Sequence, residues 1–251
     1  MIIQNGLVFT EDNQFLPLSI RTDHDIITSL VRRENGKQPE EGSESVIDAS
    51  GCYVIPGLTD IHFHGCDGYD FCDGSMEADE AIASFCLKNG VTSICPATMT
   101  MPVETLDGIC ETAASFSAMA AKEQGENRYA DLIGIHMEGP FISRAKKGAQ
   151  NGAYIIPPDG ALVERWIRLS GGLVRLVSLA PELPGSLSCI EGYKDKVAFS
   201  VAHTEADYAT AKAAMDAGAK HVTHLYNAMP PFHHRDSGVI VAAADTKDCY
   251  V

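Results

Sequence analysis

The chain has 251 residues, 45% of them hydrophobic and 21% charged, with a formal net charge of −15. That length and composition suit a soluble globular protein with one large domain or two smaller ones. The acidity argues against nucleic acid and acidic membrane surfaces as main partners, and no apolar run approaches the roughly 18 residues of a membrane span.

The first stretch reads as short β-strands. Ile2–Thr10, Leu16–Thr22 and Ile26–Arg32 are β-rich and separated by polar turns. Lys37–Ser45 is a polar loop, and Ser45–Asp48 a further short strand. Residues 1–52 therefore look like part of a small β domain.

From Tyr53 the pattern changes to alternating strands and helices. The apolar segment Tyr53–Ile61 ends at His62-Phe63-His64. A helix is expected from Met76 to Lys88, stopped by Asn89-Gly90, and a strand over Val91–Pro96. Pro102 sits where a helix can start, and an Ala-rich run continues to Lys122. Leu132–Glu138 is the third strand, followed by a long loop and a helix over Gly160–Leu169. Leu173–Leu179, Val197–Ala202 and Lys220–His224 are the fourth, fifth and sixth strands. Thr204-Glu-Ala-Asp207 offers a capping box, with Thr204 as N-cap, for a helix to Ala217.

Strands alternating with helices imply parallel βαβ units, either an open doubly wound sheet or a TIM-type barrel. The reactive residues fall at the C-terminal ends of several different strands, which is the rule for barrel active sites. The expected architecture is thus α/β: an incomplete TIM-type (β/α) barrel over 53–251, with about six of eight units, beside a small N-terminal β-sandwich portion.

Eight cysteines stand at 52, 66, 72, 86, 95, 110, 189 and 249, with no Cys-x-x-Cys pair. The N-terminus has neither a basic n-region nor an apolar h-region. The expectation is a reduced, cytoplasmic protein whose thiols are core filler.

The chemistry lies in histidines and one glutamate. His62 and His64 are two apart on a strand, so both imidazoles share a face, with Asp60 one step deeper and placed to orient a ligand. Glu138 emerges from an apolar strand before Gly139-Pro140, where a carboxylate is costly unless paired or metal-bound; its two oxygens suit a bridge between two cations. His136 has the same facing but lies deeper, as packing or as support for a ligand. His203 and His224 end the fifth and sixth strands and supply neutral nitrogens suited to zinc or iron. His221 faces the other way, and His24 reads as a surface residue. A cation on such ligands acidifies water to a pKa of about 7 and polarises a carbonyl. Hydrolysis of an amide, imide or cyclic amide is the natural reaction class, and an amine leaving group also needs a general acid.

At this point the chain resembles the N-acetylglucosamine-6-phosphate deacetylases of the amidohydrolase superfamily. The carrying segments are Pro56-Gly-Leu-Thr-Asp-Ile-His-Phe-His-Gly65, His136-Met-Glu-Gly-Pro-Phe141, Lys146-Lys-Gly148, Ala202-His-Thr204 and His224-Leu-Tyr-Asn-Ala-Met-Pro-Pro-Phe-His-His-Arg235. The resemblance covers about the first two-thirds of such an enzyme. It implies a (β/α)₈ barrel with a small β domain built from both chain ends. It implies one metal on Glu138, His203 and His224, and a second on His62 and His64 shared through Glu138. One or two divalent ions per chain, zinc or iron, follow. Asn227 and Ala228 are assigned contacts near the sugar phosphate, Ala149 a contact through its backbone, and Arg235 the phosphate itself, often across a dimer interface. His233 and His234 flank Arg235, and Lys146 and Lys147 read as a solvated loop. The family's general acid/base Asp and a further substrate-binding His are expected beyond Val251, and neither Asp245 nor Asp248 takes that role.

The implied partner is a phosphorylated amino sugar, and the implied assembly a homodimer. Two other readings stay open: a metal-binding fragment without catalytic competence, and an amidohydrolase acting on a cyclic amide or a base.

Overall fold

The structure, a computed structural model, describes residues 1–24, 26–32, 45–123 and 128–251. The loop expected over Lys37–Ser45 lies outside these apart from Ser45. The chain divides into two compact units, Met1–Gly57 and Leu58–Val251. The division follows Gly57 rather than Cys52 because the Tyr53–Val54 strand pairs with Leu7–Phe9.

The first unit is a six-stranded sheet of β1 (Ile2–Gln4), β2 (Leu7–Phe9), β3 (Phe15–Asp23), β4 (Ile26–Arg32), β5 (Val46–Asp48) and β6 (Tyr53–Val54). The single strand expected over Ile2–Thr10 breaks in two at Asn5, whose φ of 71° turns the backbone left-handed. Both pieces still pair with the long strand β3, through Ile2↔Arg21 and Leu7↔Pro17. A small cluster of Val8, Leu18 and Ile20 is buried here, with Ile3, Leu16 and Val54 against it.

The second unit begins with β7 (Leu58–Asp60) and a hairpin of β8 (Gly65–Cys66) and β9 (Tyr69–Asp70). The rest alternates: α1 (Met76–Lys88), β10 (Val91–Ile94), α2 (Val103–Ala120), β11 (Asp131–Leu132), β12 (Ile135–Glu138), α3 (Gly160–Leu169), β13 (Val174–Leu179), α4 (Ser186–Tyr193), β14 (Ala198–Val201), α5 (Tyr208–Ala217), β15 (His221–Val222) and α6 (Gly238–Ala244). Strands β7, β10, β12, β13, β14 and β15 are parallel neighbours in chain order, the step from β10 to β12 being made by the Ala97–His136 bridge. A doubly wound sheet reverses its order at a switch point; this one does not. It curls, since the rings of His62 at one end and His224 at the other lie 5.6 Å apart.

Local chemistry explains most boundaries. Ser75 caps α1 by accepting from the Ala78 N–H, and Asp159 caps α3 through Ala161. The cap of α5 is Asp207, which accepts from Thr210, and not Thr204. The Thr204 hydroxyl is already committed: it donates to Glu182 and accepts from the Ala206 N–H. Helix α4 was not expected, since its Ser-Leu-Ser-Cys-Ile sequence is short and Gly185 starts it without a side-chain cap. Helix α6 was also not expected. Beyond it, Tyr250 pairs in parallel with His221, so a seventh parallel segment starts beside β15.

The core lies between sheet and helices and includes Trp166, Phe71, Phe116, Phe141 and Phe199, all essentially inaccessible. All eight cysteines are unpaired, and burial pushes the Cys72, Cys95 and Cys110 thiols up to about 12. Among the described residues, no helix is long and apolar enough to cross a membrane.

Candidate metal centre

Strand β12 ends at Glu138, whose side chain is 2% exposed. Register sets it beside Ser178 of β13, and Ser178 beside Ser200 of β14. Next comes Gly139, with φ 94°, where an added Cβ would lie 2.2 Å from the Thr100 hydroxyl oxygen. Only glycine fits there, by conformation and by space.

Four imidazoles converge on this carboxylate. Its Oε1 lies 3.1 Å from His203 Nε2, 3.0 Å from His224 Nε2 and 3.8 Å from His62 Nε2. Its Oε2 lies 3.1 Å from His64 Nε2 and accepts a 2.9 Å hydrogen bond from Gln150 Nε2. Two groups able to hold a metal ion result: His62, His64 and Glu138, and Glu138, His203 and His224.

The histidines arrive by different routes. His62 and His64 lie just past β7, where the chain stays extended enough for Ala97 N–H to donate to the Phe63 carbonyl. Asp60 folds back to accept from the His62 backbone N–H, so it orients the backbone and not an imidazole. His203 and His224 have φ of 45° and 35°, a left-handed turn that directs each ring from its strand end toward Glu138.

Tautomers test whether a cation fits. His203 Nδ1 is 2.8 Å from the Lys146 carbonyl and His64 Nδ1 is 3.1 Å from the Ala97 carbonyl. A carbonyl only accepts, so each Nδ1 carries the proton and each neutral ring offers a lone pair at Nε2. Both lone pairs face Glu138 oxygens, which also only accept. A positive charge must lie between them, either extra protons or a metal ion. The set of nitrogens and one carboxylate suits a first-row divalent metal.

The electrostatics agree. Burial alone would raise the Glu138 carboxyl, but His203, His224 and His64 override it and hold the group far below its usual range. The hydrogen bond to Glu138 raises His64 and His224. Burial lowers His62, and holds the wholly enclosed His136 at about 3. His136 lies where it was expected, below the ligands, with Nδ1 3.2 Å from His62 Nδ1 and Nε2 2.7 Å from Ser178 Oγ. The Thr223 hydroxyl continues that chain to Ser178 and Ser200.

The remaining candidates occupy two loops. Ala149 is exposed, between Gly148, whose added Cβ would stand 3.6 Å from the His203 ring, and Gln150. The Asn227 N–H donates to the His224 carbonyl, and the Ala228 carbonyl accepts from the Thr204 N–H. Arg235 is exposed, its backbone N–H on His233 Nδ1, with the His233 and His234 rings 4.3 Å apart. Lys146 acts on the centre through its carbonyl, not its charge. His221 stacks on Tyr250, His24 is exposed beside Asp23, and Asp245 accepts from the Tyr208 hydroxyl, all apart from the cluster. Gln150 is the residue that sequence reasoning missed. Only its position beside Lys146-Lys-Gly148 and Ala149 hinted at a role.

Comparison with known proteins fits this geometry. N-acetylglucosamine-6-phosphate deacetylase of Bacillus subtilis is 36% identical over 243 residues, covering 96% of this chain and 57% of that protein. The crystal structure of the deacetylase of that name from Pasteurella multocida superposes with a TM-score of 0.83 at 28% identity, over 97% of this chain and 62% of that one. A mutant of the Mycobacterium smegmatis deacetylase, in complex with N-acetyl-D-glucosamine-6-phosphate, gives 0.81 at 28% identity, over 96% and 60%. The chain spans about half the length of the curated relatives it matches. The amidohydrolase family model matches residues 53–246. With four histidines gathered on a carboxylate at the ends of parallel strands, the chain belongs to the amidohydrolase family.

Proposed function

We propose that this chain acts in the hydrolysis of the N-acetyl group of N-acetylglucosamine 6-phosphate, giving glucosamine 6-phosphate and acetate. The observation that carries the reading is Glu138 held between two imidazole pairs, in a chain whose relatives bear that enzyme's name. We read the second unit as an incomplete TIM-type barrel of about six of the eight units.

Glu138, His203 and His224 would hold one divalent ion, and His62 and His64 together with Glu138 a second. Zinc and iron(II) both fit that donor set. Such an ion supplies Lewis acidity toward the acetamide carbonyl and acidifies water. The chain's own residues do the rest. The Lys146 and Ala97 carbonyls keep the Nδ1 protons of His203 and His64 in place, which leaves both Nε2 atoms free to ligate. Asn227 and Ala228 contact the substrate near the sugar phosphate, Ala149 contacts it through its backbone, and Arg235 binds the phosphate with its bidentate fork. Arg235 is exposed, which suits a homodimer in which it reaches a partner's substrate. Eight free thiols suit a reducing, cytoplasmic setting.

The leaving amine needs a proton, and Glu138 is too committed to imidazoles to supply it. The test therefore measures acetate release from N-acetylglucosamine 6-phosphate with zinc or iron(II). It uses this chain alone and this chain joined to the remaining portion of the Bacillus subtilis relative. Cation-dependent release that Glu138→Gln abolishes is expected from the joined protein. No release from the joined protein overturns the reading.

A further inference from the structure

We propose that Gln150 is a positioning residue that fixes the rotation of the Glu138 carboxylate, and so decides whether the His62–His64 side holds a cation. This rests on the two-cation reading above. The Thr100 N–H donates to Gln150 Oε1 at 2.5 Å. A backbone N–H only donates, so the amide orientation is settled: its oxygen faces Thr100 and its NH₂ faces Glu138. That NH₂ donates to Oε2 at 2.9 Å, and the residue is 2% exposed. A neutral amide clamped at both ends inside a charged cluster holds its partner in one orientation.

The two Glu138 oxygens differ in what holds them. Oε1 has His203 and His224 within 3.1 Å and His62 at 3.8 Å. Oε2 has one imidazole, His64, and the Gln150 amide. Without the amide, the carboxylate can swing about its Oε1 contacts and carry Oε2 away from His64. The cation on the His62–His64 side then loses its carboxylate ligand, while the other keeps all three.

Gln150 is itself placed by the loop after β12. The Gln150 N–H donates to the Lys147 carbonyl, Ser143 N–H to the His203 carbonyl, and the Lys146 carbonyl accepts from His203 Nδ1. One loop thus grips His203 from two sides and Glu138 from a third.

The experiment strips the 251-residue chain of metal with a chelator and titrates it with Co²⁺, following the visible absorption band and bound metal after desalting. Gln150→Met keeps the bulk and removes the donor. Gln150→Glu keeps an oxygen for Thr100 and sets a carboxylate against Oε2. Wild type binds two equivalents. Gln150→Met weakens the second by about 10–100-fold and leaves the first unchanged, the range for supports of metal ligands. Gln150→Glu lowers the melting temperature of the metal-free protein and raises the gain that Co²⁺ gives above the wild-type gain. A merely structural glutamine moves both variants alike and both binding steps together, and that result overturns the role. Two equivalents with unchanged constants in Gln150→Met also overturns it. Fewer than two equivalents in the wild type overturns the two-cation reading and this role with it.

Discussion

His62 and His64 leave an extended chain on one side of Glu138, whereas His203 and His224 each stand at a left-handed turn on the other. The side chains of the first pair are 28% and 34% exposed, those of the second 8% and 23%. A non-glycine residue at positive φ costs of order 1–3 kcal/mol and persists only where its surroundings over-determine it. The second pair is therefore the rigid half of the centre, stiffened by the Ser143–Gln150 loop. The first is softer, open to solvent and dependent on Oε2. Two groups of the same composition, two imidazoles and a shared carboxylate, thus need not be equally rigid.

The two halves should differ least in Glu138→Ala, which removes the carboxylate that both face. Both cations should be lost, each weakened by more than the about 10–100-fold that supporting residues command; equilibrium dialysis with zinc measures it. A single retained tight equivalent would show that one half stands without the carboxylate. His203→Ala and His62→Ala sharpen the contrast. The first should abolish the tighter binding step, and the second only the weaker. Co²⁺ titrations that show the same surviving constant in both would erase the distinction.

Asp79 gives a smaller effect and a necessary control. Burial raises its carboxyl to about 7 from an ordinary 3.8. The folded protein then binds the extra proton, so Asp79 lowers stability progressively as pH rises from 3.8 through about 7. Asp79→Asn should stabilise the chain above pH 7 by roughly 1–3 kcal/mol and do little in acid. Denaturant midpoints at the two extremes test this, and a larger gain in acid would contradict it.

In that background the metal-free cluster should show its own pH window. Glu138, lowered from 4.5, contributes stability that is present above that value and lost as pH falls further. His64 and His224, raised from 6.5, contribute stability that is complete below 6.5 and lost as pH rises through their folded values. His62 and His136, lowered from 6.5, cost stability as pH falls below that value, so the metal-free protein should melt highest near pH 6.5, by a few degrees, and added zinc should move the maximum to higher pH. A maximum that zinc leaves in place would mean that the imidazoles do not exchange protons for metal.

Much of this was legible in the sequence because histidines and a carboxylate at strand ends mark themselves. His62, His64, Glu138, His203 and His224 each close an apolar run, and the structure gathers all five. Helices α1 and α2 were legible for the same kind of reason: Asn89-Gly90 and Pro102 are local signals. What escaped was non-local. Thr204 looked like a cap until Glu182, 22 residues earlier, took its hydroxyl. The Gln150 contact with Glu138 closes across a loop that no periodicity describes. Helix α4 lacks a side-chain cap and has no strong pattern. Apolar patterning also misleads in the first unit, where Ile26 and Ile27 of β4 are 66% and 62% exposed.

Gly139 has a consequence for anyone who surveys variants of this chain in bulk. A side chain there meets two independent vetoes, a φ of 94° and a Thr100 oxygen 2.2 Å away. Screens for protease resistance will reject substitutions at 139 as strongly as screens for bound metal. Gln150→Met should pass the first screen and bind less metal in the second. Intolerance beside a ligand thus separates into a steric kind and a chemical kind, and the adjoining loop carries one example of each.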